Sequence, residues 1–196
     1  MNDSTTPPTV SDRRERTVRA LRITLLYIGL LALLVLARPQ TEMLIVGGVL
    51  MLAGEAVRFW AAGYLLKTRE LMTDGPYAFV RNPLYLGRLL IITGFCLAAS
   101  LPAYANLAGL AVFWLVFFAY YMPRKERVEP DRLLTQHGET YAAYARDVRS
   151  LWPRLTPWPG RVPAEWQWAR VRRNRELLMV IGIAAAIAWL AWRLPS

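Results

Sequence analysis

Thr73-Asp-Gly-Pro-Tyr-Ala-Phe-Val-Arg-Asn-Pro-Leu-Tyr-Leu-Gly87 is a polar, turn-rich stretch set between two apolar runs, Met43–Leu66 and Leu84–Leu101. Gly75-Pro76 and Asn82-Pro83 are turn signals, because proline fixes its own φ and restricts the residue before it. Tyr77, Arg81, Asn82 and Tyr85 add hydroxyl, guanidinium and amide groups where hydrocarbon begins. Irregular backbone at membrane depth is tolerated only when buried in protein or lining a polar cavity. The stretch therefore reads as a hinge that belongs to a site.

Working outward, 55% of the 196 residues are hydrophobic and the mean hydropathy is +0.24, a membrane composition. Five segments are candidate spans: Ile23–Ala37, Met43–Leu66, Leu84–Leu101, Ala103–Met122 and Leu177–Trp192. A spanning helix needs ~20 apolar residues. The first and last fall short unless Arg22, Arg38 and Arg193 carry their charges to the interface. The expected fold is all-α: a polytopic membrane bundle of about five transmembrane helices with a cytoplasmic amphipathic helical segment. The chain divides into a disordered basic tail (1–19), a core (20–153), and an interfacial loop and helix leading to a last span (154–196).

The net charge of +10 follows the loops. Arg13, Arg14, Arg16, Arg19 and Arg22 precede the first span, and Lys67, Arg69 and Arg81 lie between the second and third. Twelve basic residues fall from Arg124 to Arg175, against Arg38 and Arg193 on the other side. This is the positive-inside pattern, which places the N-terminus in the cytoplasm and the C-terminus outside. It assigns the charge to topology and anionic lipid, not to nucleic acid. One cysteine, Cys96, and one histidine, His137, leave little material for a disulfide, a zinc site or a histidine-based triad.

Thr41 is a candidate cap for the second helix, with Glu42 in its first turn. Gly47, Gly48, Ala53 and Gly54 suit close approach of another helix. Glu55 and Arg58 share a face of that span and should point inward, as a structural ion pair or as functional groups. Ser100-Leu101-Pro102 turns the third span into the fourth. Beyond Pro123 the composition becomes charged, and Arg124–Arg149 has amphipathic helical spacing that His137-Gly138 should interrupt. Glu126 and Glu129 lie three apart there, either receiving ribose hydroxyls or an ammonium group, or forming a solvated face. Leu151–Pro163 reads as a loop held at the lipid interface by its two tryptophans, and Glu165–Arg175 as a basic interfacial helix.

The stretch Gly75–Gly87 resembles the signature G-x-Y-x-x-x-R-H-P-x-Y-x-G of isoprenylcysteine carboxyl methyltransferases and their prokaryotic relatives, whose general pattern phospholipid methyltransferases share. Glu129, Leu133, Gly138, Tyr141 and Tyr144 resemble the family's second signature, E-E-x-x-L-x-x-x-F-G-x-x-Y-x-x-Y. The resemblance implies a membrane enzyme that moves a methyl group from S-adenosylmethionine to a lipophilic acceptor entering from the bilayer. Carried over by position, Arg69, Glu70, Leu71 and Met72 hold the adenosine, Tyr77, Asn82, Pro83, Leu84 and Tyr85 line the cofactor pocket, and Glu129 binds the cofactor. Lys125, standing where the family has arginine, and Arg81 form the catalytic set that positions the acceptor. Asn82 replaces the family's histidine, Pro130 its second glutamate and His137 its phenylalanine. Rival readings are an NADPH-dependent membrane reductase and a non-catalytic lipid-binding or interaction protein. The sequence leaves the acceptor and the oligomeric state open.

Overall fold

The computed structural model describes residues 31–65 and 71–195 with the isolated positions 17, 21, 24, 28 and 29; side chains of 127–132 lie outside that description. The expected tail apart from Thr17, five positions of the first span (23, 25–27 and 30), and Arg69 and Glu70 therefore lie outside the described residues. Those described are helical, without a strand.

Helix α1 (Thr41–Tyr64) is the spine. Its 24 residues rise about 36 Å at ~1.5 Å each, more than the ~30 Å of a hydrocarbon core. Thr41 is not the cap: Gln40 occupies that position, makes no side-chain cap bond, and leaves Thr41 as the first helical residue. Helix α2 (Pro83–Ala99) packs along α1 through two glycine notches, Gly47 with Gly94 and Gly54 with Gly87. A Cβ at Gly54 would lie 2.6 Å from the Gly87 carbonyl oxygen, so only glycine lets the backbones meet. Such contacts suit a membrane bundle, where close van der Waals packing replaces hydrophobic driving force. Gly48 faces open space instead.

Two described helices are long and apolar enough to cross a membrane, α1 and the segment Pro102–Glu126, and two shorter apolar helices of 17 residues accompany them. Ser100 in left-handed geometry makes the expected turn. Asn106 seals that turn by donating to the Cys96 carbonyl (2.8 Å) and accepting from the Leu101 N–H (3.1 Å). Helix α3 (Ala105–Val116) then runs without a stop through a π turn (Phe117–Tyr121) into α4 (Met122–Asp147). The change of composition at Pro123 is therefore not a helix end. Proline lacks an N–H and crowds the carbonyl four residues back, and the wider π turn falls where that strain arises. The interruption expected at Gly138 is present: its φ of 51° and ψ of −130° lie outside helical space.

After α4 the chain returns as an irregular segment, then α5 (Trp168–Arg173) and α6 (Glu176–Trp192). The basic interfacial helix is thus only six residues long. Helix α6 closes a core of Leu44, Met51, Ala98, Ile183 and Leu190 with α1 and α2. Of the two tryptophans expected at the lipid interface, Trp152 is 72% exposed, whereas Trp158, 6% exposed, is buried in protein. Trp158 packs edge-on against Tyr144 and donates from Nε1 to Asp147 (3.0 Å).

Candidate active site

The hinge is held by the segment that follows α4. Arg81 N–H donates to the Arg149 carbonyl and Asn82 N–H to that of Ser150, both at 3.0 Å. Arg154 N–H reaches Phe79 O and Trp158 N–H reaches Ala78 O, both at 2.9 Å. Asp74 accepts from the Ala164 N–H (2.8 Å) and faces Arg161, while Thr73 accepts from the Val162 N–H (3.0 Å). Gly75, at φ +58°, is required where the Tyr64 ring lies against the turn. A loop that satisfies its backbone this fully is a rigid support for side chains.

Four predicted residues meet on that support. The Asn82 amide donates to Ser150 Oγ (2.7 Å), and its oxygen accepts from the Lys125 ammonium. Lys125 also sits 4.2 Å over the Tyr85 ring, a cation–π position, and the Tyr85 hydroxyl bonds that of Tyr121 from the π turn (2.8 Å). Arg81 spans the junction, donating to the Tyr141 hydroxyl (3.4 Å) and facing the Glu126 carboxylate at 3.9 Å. This last pair is partly exposed and is worth only ~0.2–1 kcal/mol. Its importance is positional: it ties the first signature segment to α4.

A cavity of about 410 Å³ lies at this junction, within the ~300–1,000 Å³ range of small-molecule sites. Arg81, Arg149, Glu126 and Ser150 supply its polar wall, and Phe118, Met122, Leu151 and Trp152 its apolar one. Arg81 Nε is buried without a hydrogen bond among the described residues, an orphan donor beside the cavity. These groups can receive an anion, an ammonium or hydroxyl group, and a flat apolar body together.

The remaining predicted residues distribute as follows. Leu71 packs against the Tyr141–Tyr144–Val148–Trp158 cluster, Met72 is half-buried, and Pro83 is buried at the start of α2. The Leu84 carbonyl accepts from Arg58 (3.5 Å). The Tyr77 carbonyl accepts from the Tyr144 hydroxyl (2.7 Å), but its own hydroxyl is buried without a hydrogen bond. Burial, then the nearby Glu176 carboxylate, raises the Tyr77 pKa well above the ordinary phenol value. Burial likewise raises that of Tyr144, partly opposed by Arg81. The Glu129 side chain, like Arg69 and Glu70, lies outside the described residues.

Glu55 and Arg58 are buried as expected, yet the stronger partner of Arg58 is Glu176, at the start of α6, which the sequence reading missed. Arg58 Nη2 donates to both Glu176 oxygens at 2.8 Å, whereas Glu55 lies 3.7 Å from Nε. The available signal was a second acidic residue, at the opening of the last apolar run, in a chain with an intramembrane arginine. Nothing comparable announced Ser150, Arg149 or Tyr121.

Residues 42–127 match the sequence model of the family described as phospholipid methyltransferase. The cobalt-zinc-cadmium resistance protein CzcN of Cupriavidus metallidurans is 38% identical over 105 residues, 53% of this chain and 45% of the relative. The nickel-cobalt-cadmium resistance protein NccN of Alcaligenes xylosoxydans xylosoxydans is 35% identical over 101 residues, 50% of this chain and 44% of the relative. The chain thus spans less than half the length of these curated relatives. No solved structure matches. The match covers α1, the hinge, α2, α3 and the opening of α4, and stops before the second signature segment. Over residues 42–127 the chain is thus similar to the phospholipid methyltransferase family.

Proposed function

We propose that this chain is an S-adenosylmethionine-dependent methyltransferase of the inner or plasma membrane, acting on a lipophilic acceptor, with its N-terminus and hinge facing the cytoplasm and its C-terminus outside. One observation carries the reading: hinge and α4 meet through Lys125–Asn82 and Arg81–Glu126, and the second pair lines a cavity with both polar and apolar walls. That lining fits the cofactor's parts. Arg149 suits its carboxylate, Glu126 its ammonium or ribose hydroxyls, and Trp152 its base. Glu129 is the further carboxylate that the family resemblance assigns to it.

S-adenosylmethionine supplies a methyl group already activated on a positive sulfur. What the protein adds is orientation, which can lower a barrier by ~7–11 kcal/mol. Lys125 and Arg81 hold the acceptor's polar end at the hinge, and Phe118 and Met122 give its apolar part a path from the bilayer. The segment 149–166 backs the hinge and keeps water from that face. The relatives are named for resistance to cobalt, zinc, nickel and cadmium. For this chain we read such a setting as modification of a membrane component.

Calorimetric titration of the detergent-solubilised protein with S-adenosylhomocysteine and with NADPH tests the reading. Saturable binding of the first alone supports it. Binding of NADPH alone, or of neither, overturns it.

A further inference from the structure

We infer that the flank of α2 at Arg88 and Tyr85 binds the phosphate of an anionic phospholipid in the cytoplasmic leaflet. The inference rests on the membrane reading of the helices, with the hinge toward the cytoplasm, and is independent of methyl transfer.

Arg88 is the one charged residue of α2, and it is exposed on that apolar helix. Among the described residues it makes no hydrogen bond or ion pair; its contact is the Tyr85 ring, whose centroid lies 5.6 Å from the guanidinium carbon. Arg58, the arginine of α1, is placed quite differently, buried and bonded to Glu176 and to the Leu84 carbonyl. A guanidinium carries five N–H donors and keeps its charge, so beside hydrocarbon it needs an acceptor. The protein supplies one to Arg58, and for Arg88 the surroundings must supply it.

The depth suits a headgroup. Arg88 lies five residues past Pro83, about 7.5 Å along the helix from the hinge. Side chains lean toward a helix N-terminus, and this one does so over Tyr85, which carries the charge back toward the boundary. The sign of the ligand follows from the neighbours. Lys125 rests on the same ring, 4.2 Å from its centroid, so the two cations are no more than about 10 Å apart and repel each other. Arg124 adds a third positive charge one residue away, bonded to the Tyr120 hydroxyl at 3.0 Å. Glu126 instead faces Arg81 at the hinge cavity. An anion is attracted to such a flank, and phosphate oxygens match the planar fork of arginine. The Tyr85–Tyr121 hydroxyl bond (2.8 Å) fixes the ring between the cations. Neither Arg88 nor Tyr85 lines the hinge cavity, so the two sites are separate.

The test is native mass spectrometry of the full chain in detergent, titrated with phosphatidylglycerol or with phosphatidylcholine of matched acyl chains, and with inorganic phosphate as competitor. The wild type should retain one phosphatidylglycerol in preference to phosphatidylcholine, and inorganic phosphate should not displace it. Arg88→Gln should weaken that binding about tenfold or more, and Arg88→Lys, which keeps the charge without the fork, about threefold. Arg173→Gln, at an exposed arginine of α5, should leave it unchanged. Undiminished binding to Arg88→Gln overturns the site. So does an equal loss in Arg173→Gln, which would mean general basic charge, or displacement by inorganic phosphate, which would mean a free anion. Should Arg88→Gln not fold, Arg88→Met decides: unchanged affinity overturns the proposal, and a selective loss of phosphatidylglycerol supports it.

Discussion

The Arg58 cluster gives the sharpest test, because its geometry predicts an order as well as a size. With both carboxylates ionised the wild-type cluster carries −1. Arg58→Met makes it −2, strands two buried carboxylates, and deletes the bond to the Leu84 carbonyl. Breaking a buried pair by removing one partner costs about 3–5 kcal/mol. Glu176→Gln makes the cluster neutral and leaves Glu55 as counter-charge at 3.7 Å, so the loss is that of charge-assisted hydrogen bonds, about 1.5–3 kcal/mol. Glu55→Gln also neutralises the cluster but removes no hydrogen bond of the described residues, and should change stability by less than about 1 kcal/mol. Unfolding by heat or by sodium dodecyl sulfate in mixed micelles measures all three. If Glu176→Gln proves costlier than Arg58→Met, or Glu55→Gln the costliest, the arginine is not the hub and the bookkeeping fails.

The glycine notch predicts that Gly54→Ala, whose Cβ would lie 2.6 Å from the Gly87 carbonyl oxygen, lowers stability by about 1–3 kcal/mol, whereas Gly48→Ala, facing open space, stays near wild type in the same melts. Tyr77 has a folded pKa raised above its unfolded value near 10.0, so its contribution is complete below pH 10 and is lost as pH rises beyond it. Alkaline titration should show part of the phenol absorbance appearing only with unfolding, and Tyr77→Phe should lessen that alkaline loss. Asp147 behaves oppositely: the Trp158 indole N–H lowers its pKa below 3.8, so the tie is present above that pH and fails as pH falls through the folded value. Trp158 fluorescence should report the acid step, and Asp147→Asn should remove it.

The α1 and α2 helices, the outer turn, the Gly138 break and the inward face of Glu55 and Arg58 were legible because each is a local signal: apolar length, turn chemistry or helical spacing. What escaped the sequence was long-range or continuous. Pro123 marks the change from apolar to charged sequence, yet the helix passes it, since a π turn meets a proline's missing bond without ending the rod. Trp158 has the same local context as Trp152, a proline-rich loop, and only the docking of that loop on the hinge buries one and exposes the other. Glu176 escaped because its partner lies 118 residues away. Of the site, the hinge residues were legible as chemistry, whereas the backing supplied by Arg149 and Ser150 carries no motif.

Two departures from the family pattern turn out to touch. Asn82 stands where the resembled family has histidine and Lys125 where it has arginine, and here the Asn82 oxygen accepts from the Lys125 ammonium, which lies over Tyr85. The amide has a donor for Ser150 and an acceptor for lysine, so one planar group serves both neighbours. Histidine at 82 could not do both as well: a nitrogen that accepts from lysine leaves one N–H, whose direction differs from that of the amide. The pair therefore reads as a matched exchange and not as decay of a site. Asn82→His alone should weaken S-adenosylhomocysteine binding, Lys125→Arg alone should weaken it too, and Asn82→His with Lys125→Arg should recover part of the loss. Residues in contact show coupling of ~0.5–3 kcal/mol, about two- to over a hundredfold in affinity, which calorimetry on the four proteins resolves. Strict additivity would mean that the two positions act separately and that the junction of hinge and α4 does not shape the pocket.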